Sequence, residues 1–304
     1  MTGTDPTDPS AAALASLAHH IADDWRLTLG ERLTGGTVAL VFAARDTDGR
    51  ECVLKVLPAL GEAEGNYAAE RDVLRAGHGR AYVELLRHDD ARQAFLLERL
   101  GPKMVDNGGS VDEWNDALCE LLLVAWDIDL APPPSSLWTA ARKCEWFVEF
   151  LPRKWRAHRE PCARAVIDEA IGFAEARGAA FDADTAVVLH GDAHMWNALS
   201  DNHGGYKFID PDPFVGERAA DLAVPMREWS GELLVGGDPL AAAQRRCARL
   251  AAATGCDPQA VWEWGAIERV STALVGLDEP DKVGPMADWF VVAEACLGAG
   301  PGPG

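Results

Sequence analysis

The apolar residues in the first third of the chain recur at two different spacings. From residue 14 to residue 25 they recur every three or four positions after Ser10, which predicts a helix over residues 10–25 behind a loose, polar tail at 1–9. Five short apolar runs of strand length then follow, and they read RLTLGERL, VALVFAAR, ECVLKVL, YVELL and AFLLERL. A helical segment, EAEGNYAAERDVLRA, separates the third run from the fourth. This order predicts an antiparallel sheet with one main helix.

The pattern changes near residue 100, where Gly101 and Pro102 end the last strand-like run. Long helical runs follow at 112–130, 136–156 and 161–178, and most of the remaining chain is also helical in pattern. A chain of 304 residues is long enough for two lobes. We therefore predict an α+β, bilobal fold with a sheet-containing lobe at 1–100 and a mostly helical lobe at 101–304.

A short hairpin interrupts the helical lobe. Residues 190–212 read HGDAHMWNALSDNHGGYKFIDPD, in which ALSDNHGGYKFI has the pattern of a hairpin and a polar turn stands on each side of it. The hairpin would place the two turns side by side. We therefore expect Asp192, Asn197 and Asp210 to lie together at one end of a small sheet.

The residue types in these turns suit magnesium, which binds one or two carboxylates and leaves its other positions to phosphate and water. Kinase-like enzymes use a D-x-x-x-x-N loop for a base and a metal-binding amide, and a later Asp as the main metal ligand. Asp192, Asn197 and Asp210 have that spacing. Two alternatives stay open: a zinc site of a metal-dependent hydrolase that uses the nearby histidines at 190, 194 and 203, and a polar loop with only a structural role.

Phosphate transfer also requires a cation for the nucleotide, and the first lobe offers one. In ECVLKVL, Lys55 shares a strand face with apolar residues, so it either reaches solvent at an edge or points into a cleft. Glu70 shares the apolar face of the following helix. Because an inward Lys and an inward Glu are each costly unless paired, we expect an ion pair between them.

Two further nucleotide-binding features are less distinct in the sequence. A turn between the first two strands contains Gly35 and Gly36, which would permit close approach of the backbone to phosphate but would also suit a plain hairpin. The end of AFLLERL, from Glu98 to Leu100, is the expected hinge, whose backbone would meet adenine.

Charge and composition limit the partners. The net charge of −20 and the lack of a dense Lys/Arg cluster argue against nucleic-acid binding. An acidic field concentrates a cationic small molecule, although acidity can also serve solubility alone. No apolar run reaches the roughly 18 residues of a membrane span, and we expect a cytoplasmic monomer. The seven cysteines stand singly and are expected to be reduced and mostly buried.

With these residues in place, the sequence resembles the aminoglycoside phosphotransferase family, and within it the streptomycin 6-phosphotransferase and hydroxyurea phosphotransferase branch. The blocks LHGDAHMWNAL and IDPDPFVGERAADL carry most of the resemblance, and the VLK strand and LLERL add to it. The resemblance implies a protein-kinase-like fold, ATP with Mg²⁺, and transfer of the γ-phosphoryl group to a hydroxyl of a cationic antibiotic.

The resemblance also implies a role for each site residue. Asp192 would be the catalytic base, His190 would brace its loop, and Asn197 and Asp210 would bind magnesium. Lys55 would hold the nucleotide phosphates, with Glu70 as its partner. Asp212 would be a structural carboxylate. Apart from the resemblance, a cationic acceptor pairs with carboxylates and aromatic ring faces, so Glu228, Trp229 and Glu268, with Asp212, are candidates for the acceptor site. Other candidates for the acceptor site are Glu145, Glu149, Asp278 and Glu279.

The function predicted from the sequence is therefore phosphorylation of an aminoglycoside of the streptomycin type. The main alternative is a kinase of another metabolite alcohol or amino sugar, which would keep every catalytic residue and change only the acceptor. A protein kinase is disfavoured because the D-F-G and A-P-E signatures are absent from the sequence. A non-catalytic binding module is disfavoured because the Lys, Glu, Asp, Asn and Asp set is intact.

Overall fold

The strand-like runs of the first third form one antiparallel sheet in the computed structural model, which describes residues 9–33, 39–58, 67–130, 132–279 and 283–297. The strands are β1 (Thr28–Leu33), β2 (Leu40–Arg45), β3 (Glu51–Val56), β4 (Leu85–Asp89) and β5 (Ala94–Glu98). Their order is β1-β2-β3-β5-β4, and all neighbours are antiparallel. The predicted sheet is confirmed.

Two helices accompany this sheet, α1 (Pro9–Trp25) and α2 (Tyr67–Gly77). The apolar face of α1 supplies Ile21 and Trp25 to a core that also contains Leu54 and Val56 of β3. Helix α2 corresponds to the helical segment predicted over 62–76, of which the first five residues lie outside the described residues. Its buried face includes Glu70, as the apolar periodicity indicated.

The predicted hairpin is present as β8 (Ala198–Ser200) and β9 (Tyr206–Phe208). Asp201 closes its turn, because one carboxylate oxygen accepts hydrogen bonds from the backbone N–H groups of His203 and Gly205, both at 2.8 Å. The Phe208 N–H donates to the carbonyl of Ala81 at 2.8 Å, and the Gly101 N–H donates to that of Ser200 at 2.8 Å. These backbone bonds join the hairpin to the sheet-containing part of the chain.

The chain accordingly divides into two units. The first comprises Met1–Pro102 and Leu199–Asp212, and the second comprises Lys103–Ala198 and Pro213–Gly304. The predicted division near residue 100 lies close to the first crossing, but it placed the hairpin residues in the helical lobe, whereas the structure groups them with the first unit. Local periodicity could not show this, since the hydrogen bonds that join the hairpin to the first unit link residues about a hundred positions apart.

The second unit is mostly helical, as predicted. Its helices are α3 (Val111–Ala125), α4 (Ala140–Ala157), α5 (Arg164–Ala179), α6 (Ala223–Arg227), α7 (Ser230–Leu234), α8 (Pro239–Thr254), α9 (Pro258–Gly276) and α10 (Val283–Leu297). A small sheet has the order β6 (Trp138–Thr139), β10 (Phe214–Gly216) and β7 (Val187–Val188). Helix α9 is buried along most of its length and packs against α4, α5, α6, α8 and α10.

Side-chain caps define where these helices begin. Ser110 and Glu113 form a reciprocal capping box at the start of α3. Asp238 and Asp257 cap α8 and α9, and each is followed by a proline at the first helical position. In the part of the chain that the structure describes, no helix combines the length and apolarity needed to cross a membrane.

Candidate active site

A buried lysine lies at the centre of the first unit's polar site. Lys55 projects from β3, and its Nζ atom lies 2.6 Å from Oε1 of Glu70 on α2 and 2.7 Å from Oδ1 of Asp210. The Lys55 and Glu70 side chains are only 8% and 7% exposed, whereas that of Asp210 is 41% exposed. The ion pair expected between Lys55 and Glu70 is therefore present, and Asp210 is its solvent-accessible third member.

The charges of this triad depend on one another. Burial alone would lower the pKa of Lys55, but the carboxylates of Asp210 and Glu70 raise it above its usual value. Burial raises the pKa of Glu70, and the Lys55 ammonium opposes that effect. The triad therefore fixes a positive charge at the end of a rigid strand, beside a carboxylate that solvent can reach.

Asp210 owes its place to the hairpin. It follows β9 and has a left-handed backbone with φ of 53°, a conformation that Asp tolerates better than most residues. Its neighbour Asp212, predicted as a structural or acceptor-binding carboxylate, is exposed. The two carboxylates therefore have different surroundings, since Asp210 pairs with Lys55 whereas Asp212 is exposed to solvent.

The structure describes the residues of the expected hinge, whose binding to adenine stays a prediction. Glu98 ends β5, and its side chain forms an ion pair with Lys207 of β9 and accepts a hydrogen bond from the Glu84 N–H at 2.8 Å. Leu100 is buried. The side chain of Glu98 therefore fastens the hairpin to the sheet, which the sequence did not indicate. Gly35 and Gly36 lie outside the described residues.

The second unit holds the loop from His190 to Asn197, and a buried aspartate organises its start. The two carboxylate oxygens of Asp221 accept the N–H of His190 at 2.9 Å and that of Gly191 at 2.7 Å. The indole N–H of Trp126 donates to Asp221 as well, at 2.8 Å. Gly191 has φ of 81°, a left-handed conformation that suits glycine and turns the chain between these bonds.

Asp221 was missed in reading the sequence, although it is a lone carboxylate within the apolar run AADLAV. Such a residue is wholly buried here and would be costly without partners. A buried Asp that accepts backbone N–H groups is a recognisable loop support.

His190 and Asn197 hold the loop from either side of Asp192. His190 is fully buried, and its Nδ1 accepts the N–H of Asp192 at 3.1 Å. The Asn197 amide nitrogen donates to the Asp192 carbonyl at 3.1 Å and to its carboxylate at 3.3 Å. The nitrogen of Asn197 thus faces the loop, so its amide oxygen is the atom that would bind a cation.

The Asp192 carboxylate lies between two basic side chains, those of His194 and Arg227. Its Oδ2 is 3.2 Å from Nε2 of His194, and its Oδ1 is 3.0 Å from a guanidinium nitrogen of Arg227. Burial would raise the pKa of Asp192, but the hydrogen bond from His194 and the charges of His194 and Arg227 hold it well below its usual range. Asp192 is therefore ionised and oriented.

Arg227 is the centre of a buried ionic cluster that sequence reasoning also missed. Besides Asp192, it lies 2.8 Å from Oε2 of Glu268 and 3.3 Å from Oε1 of Glu228. Lys143 lies 3.4 Å from the other oxygen of Glu268. Glu228 is the next residue in the chain, but the run AVPMR gives no local sign of the two distant partners, Asp192 from the loop at 190–197 and Glu268 from α9.

The acceptor candidates consequently differ in their surroundings. Glu268 is buried and holds Arg227, so it stabilises the cluster and does not present a free carboxylate. Glu228 and Trp229 are partly exposed. Asp278 pairs with Lys154 and His158, while Glu145 and Glu149 are exposed on α4 and Glu279 is partly exposed.

The zinc alternative finds no support in the geometry. Among the described residues, no group of three or more His, Cys, Asp or Glu side chains is placed to hold a metal ion. His190 supports the backbone of Asp192, and His203 lies exposed in the hairpin turn. The amide oxygen of Asn197 and the carboxylate of Asp210 are each hard oxygen donors, the ligand type that magnesium prefers and zinc sites built from His and Cys do not use.

Solved structures show which known fold this chain shares. The chain resembles the choline kinase LicA from Streptococcus pneumoniae, with a TM-score of 0.64 and 12% identity over 95% of this chain and 100% of that one. It also resembles the aminoglycoside phosphotransferase APH(3'')-Id from Streptomyces rimosus, solved with ADP and streptomycin, with a TM-score of 0.55 and 18% identity over 86% of this chain and 98% of that one. The fold is therefore that of the kinase-like phosphotransferases, as the sequence predicted.

Sequence comparison identifies the family. Residues 24–277 match the model of the aminoglycoside/hydroxyurea antibiotic resistance kinases, and the chain belongs to that family. It is 27% identical over 259 residues to a streptomycin 6-kinase of Streptomyces glaucescens, covering 84% of this chain and 81% of that protein. It is 28% identical over 212 residues to a streptomycin 6-kinase of Streptomyces griseus, covering 69% and 66% respectively. The predicted family is confirmed, and the chain is a phosphotransferase with an alcohol group as acceptor.

Proposed function

We propose that this phosphotransferase uses ATP and Mg²⁺ to phosphorylate a hydroxyl group of an aminoglycoside of the streptomycin type, and so inactivates the antibiotic. The observation that carries the nucleotide half is the triad of Lys55, Glu70 and Asp210, in which a fixed ammonium accompanies an accessible carboxylate. Phosphoryl transfer needs that combination to hold the nucleotide phosphates and their metal ion.

In this proposal Lys55 binds the phosphates, and Glu70 holds it in place. Gly35 and Gly36 are proposed to contact the phosphates, and the backbone at Glu98 to Leu100 to bind adenine. Asn197 and Asp210 supply the oxygen ligands for magnesium. When bound, the metal ion would neutralise the charge that develops on the transferred phosphoryl group.

Asp192 orients the acceptor hydroxyl and receives its proton. The acceptor oxygen forms a bond to the γ-phosphorus as the bond between that phosphorus and the ADP oxygen breaks, and the hydroxyl proton passes to the Asp192 carboxylate. A carboxylate with a lowered pKa is a weak base, which suits a loose transition state in which the proton leaves late. Positioning of the hydroxyl is then the larger contribution of Asp192.

An aminoglycoside acceptor is supported by charge and by the relatives. The Asp192, Glu228 and Glu268 carboxylates outnumber the Arg227 and Lys143 cations that contact them in this cluster. The net charge of −20 attracts a polycation to the protein. Two relatives, which this chain matches over 81% and 66% of their own length, are streptomycin 6-kinases.

An ADP-release assay tests this proposal. Purified protein with ATP and Mg²⁺ would be screened against streptomycin, other aminoglycosides, amino sugars and simple alcohols, and we expect turnover with streptomycin. Turnover with a metabolite alcohol alone would replace the acceptor class and keep the reaction. No turnover with any acceptor, in protein shown to be folded, would overturn the proposal that the protein transfers a phosphoryl group from ATP with Mg²⁺.

The role of Asp192 has a separate test. We expect Asp192→Asn to lower kcat by about 10²- to 10⁴-fold while the folded state is retained, because the variant can neither orient the hydroxyl in the same way nor accept its proton. An unchanged kcat in a folded Asp192→Asn protein would show that the base assignment is wrong.

A further inference from the structure

Three tryptophans from separate segments of the second unit lie in contact beside the catalytic loop. The rings of Trp196 and Trp229 are stacked at a centroid distance of 5.5 Å and an angle of 11°, and Trp114 packs on Trp229 at 5.3 Å and 39°. All three side chains are partly exposed. We call these three residues the tryptophan stack. Clustered aromatic side chains that remain partly exposed commonly mark a binding site.

The stack is connected to the proposed base on both sides. The ring of His194 packs edge-on against Trp196 at 5.6 Å, and the same ring lies 3.2 Å from the Asp192 carboxylate. Trp229 follows Glu228 and Arg227, and the Arg227 guanidinium lies 3.0 Å from Asp192. A molecule that rests on the stack would therefore have its neighbouring groups near Asp192.

The backbone that carries Trp229 is strained and firmly held. Trp229 has left-handed angles, φ 55° and ψ 43°, which a bulky aromatic residue seldom adopts. The buried guanidinium of Arg269 binds the carbonyls of Met226 and Arg227, and that of Arg246 binds the carbonyl of Glu228. Two buried cations thus fix the segment that presents Glu228 and Trp229. Such a support is typical of a preorganised binding surface.

The chemistry beside the rings selects the ligand. Glu228, whose side chain is 14% exposed, directly precedes Trp229 in the sequence. A planar cation can lie on an indole face while its edge donates hydrogen bonds to a carboxylate, and guanidinium suits this arrangement better than an ammonium group. A neutral sugar would gain neither interaction.

We propose that the tryptophan stack is the acceptor-recognition surface of this enzyme and binds a planar cationic group, of the guanidinium type, on the acceptor. This inference rests on the proposed function for the identity of the reacting hydroxyl. It adds Trp114 and Trp196 to the acceptor candidates Glu228 and Trp229, and it names the chemical feature that these residues recognise.

Binding is measured without nucleotide, so that the outcome does not depend on catalysis. Trp196 and Trp229 would report ligand contact through a change in intrinsic fluorescence. The probes are streptomycin, which carries guanidinium groups, kanamycin, which carries ammonium groups only, and the neutral disaccharide sucrose. We expect saturable quenching with streptomycin, weaker binding of kanamycin and none of sucrose.

Substitutions in the tryptophan stack test whether its rings contribute to streptomycin binding. Trp196→Leu and Trp229→Leu should each raise the Kd and KM for streptomycin by about 5- to 30-fold, and leave the KM for ATP within about twofold, because each removes one aromatic face. Trp229→Phe keeps a ring and should restore part of the loss. Trp146→Leu is the matched control, since Trp146 is 37% exposed but stacks on Phe150 of its own helix.

Two results would overturn the inference: unchanged streptomycin binding in the folded Trp196→Leu and Trp229→Leu proteins, or equal losses for streptomycin and ATP. These outcomes are distinct from failure of the proposed function. Because each substitution also removes a reporting fluorophore, the Kd of the variants is measured by calorimetry, and a raised Kd for streptomycin would sustain the binding surface even if no phosphoryl transfer to streptomycin were detected. Phosphoryl transfer to streptomycin with an unaltered KM for streptomycin in both variants would sustain the proposed function and show that the tryptophan stack does not bind the acceptor.

Discussion

At the scale of single residues, buried charges decide how the site is held. Lys55, Asp221 and Arg227 are each buried and each bind two or more groups of opposite polarity. Removal of one partner from such a cluster leaves another charged or polar group unpaired in a low-dielectric interior, and this is more damaging than loss of an exposed ion pair.

Substitution of Glu70 tests the effect of removing a buried partner from Lys55, the proposed nucleotide-binding lysine. We expect Glu70→Gln to raise the KM for ATP by about tenfold, because Lys55 loses its buried charged partner and its fixed position. Steady-state kinetics with varied ATP would measure this. The control is Glu84→Gln, whose partner Arg50 is 50% exposed and whose loss should change neither KM nor stability appreciably. Equal effects of the two substitutions would contradict the prediction.

Substitution of Asp221 tests the effect of an unpaired buried group in the loop from His190 to Asn197. Asp221→Ala leaves the N–H groups of His190, Gly191 and Trp126 without their acceptor, so we expect the free energy of unfolding to fall by about 2–4 kcal/mol. Asp221→Asn keeps one acceptor oxygen and should lose less. Urea unfolding of the two variants measures the difference, and an alanine variant as stable as the parent protein would refute the assigned support.

At the scale of elements, caps and hairpin turns set where the functional segments begin. The capping box of Ser110 and Glu113 starts α3 at Val111, three residues before Trp114, so the same turn that initiates the helix places the first ring of the tryptophan stack. The Asp201 turn likewise sets the start of β9, which leads to Asp210. Local hydrogen bonds thus position residues whose partners are distant in sequence.

The capping box gives a prediction at this scale. Ser110→Ala should lower the free energy of unfolding by about 1 kcal/mol, whereas Ser110→Gly should lower it by only a few tenths of that amount. Thermal unfolding followed by circular dichroism would resolve the two variants. If alanine and glycine were equivalent at this position, the side-chain cap would not be contributing to stability.

At the scale of the whole molecule, cysteine chemistry reports on packing. All seven cysteines are free thiols, five of them buried. Burial raises the pKa of Cys144 and of Cys119 to about 12, and that of Cys162 and of Cys247 to about 11. A thiol with a raised pKa is mostly protonated at pH 8 and therefore reacts slowly.

Thiol titration should show this directly. With an aromatic disulfide reagent at pH 8, we expect the native protein to react slowly at the buried positions and the denatured protein to release seven equivalents at once. Rapid reaction of all thiols in the native state would mean that the packing around them opens readily.

Assembly is a second property at this scale. The sequence predicts a cytoplasmic monomer, and light scattering should give a mass near 32.7 kDa at micromolar concentration. The charge of −20 opposes self-association at low ionic strength, so the measurement is best repeated in high salt. A mass of twice this value in both conditions would establish a dimer.

The sequence by itself determined the elements and the reaction class of this protein. Strand and helix periodicities, the spacing of Asp192 and Asn197, and the inward faces of Lys55 and Glu70 are local properties, and each is visible in a few consecutive residues. Tertiary structure alone revealed Asp221, the ionic cluster of Arg227, the tryptophan stack and the union of the hairpin with the first unit. These arrangements join residues from about 30 to more than 100 positions apart, and their contacts depend on packing that no local pattern records.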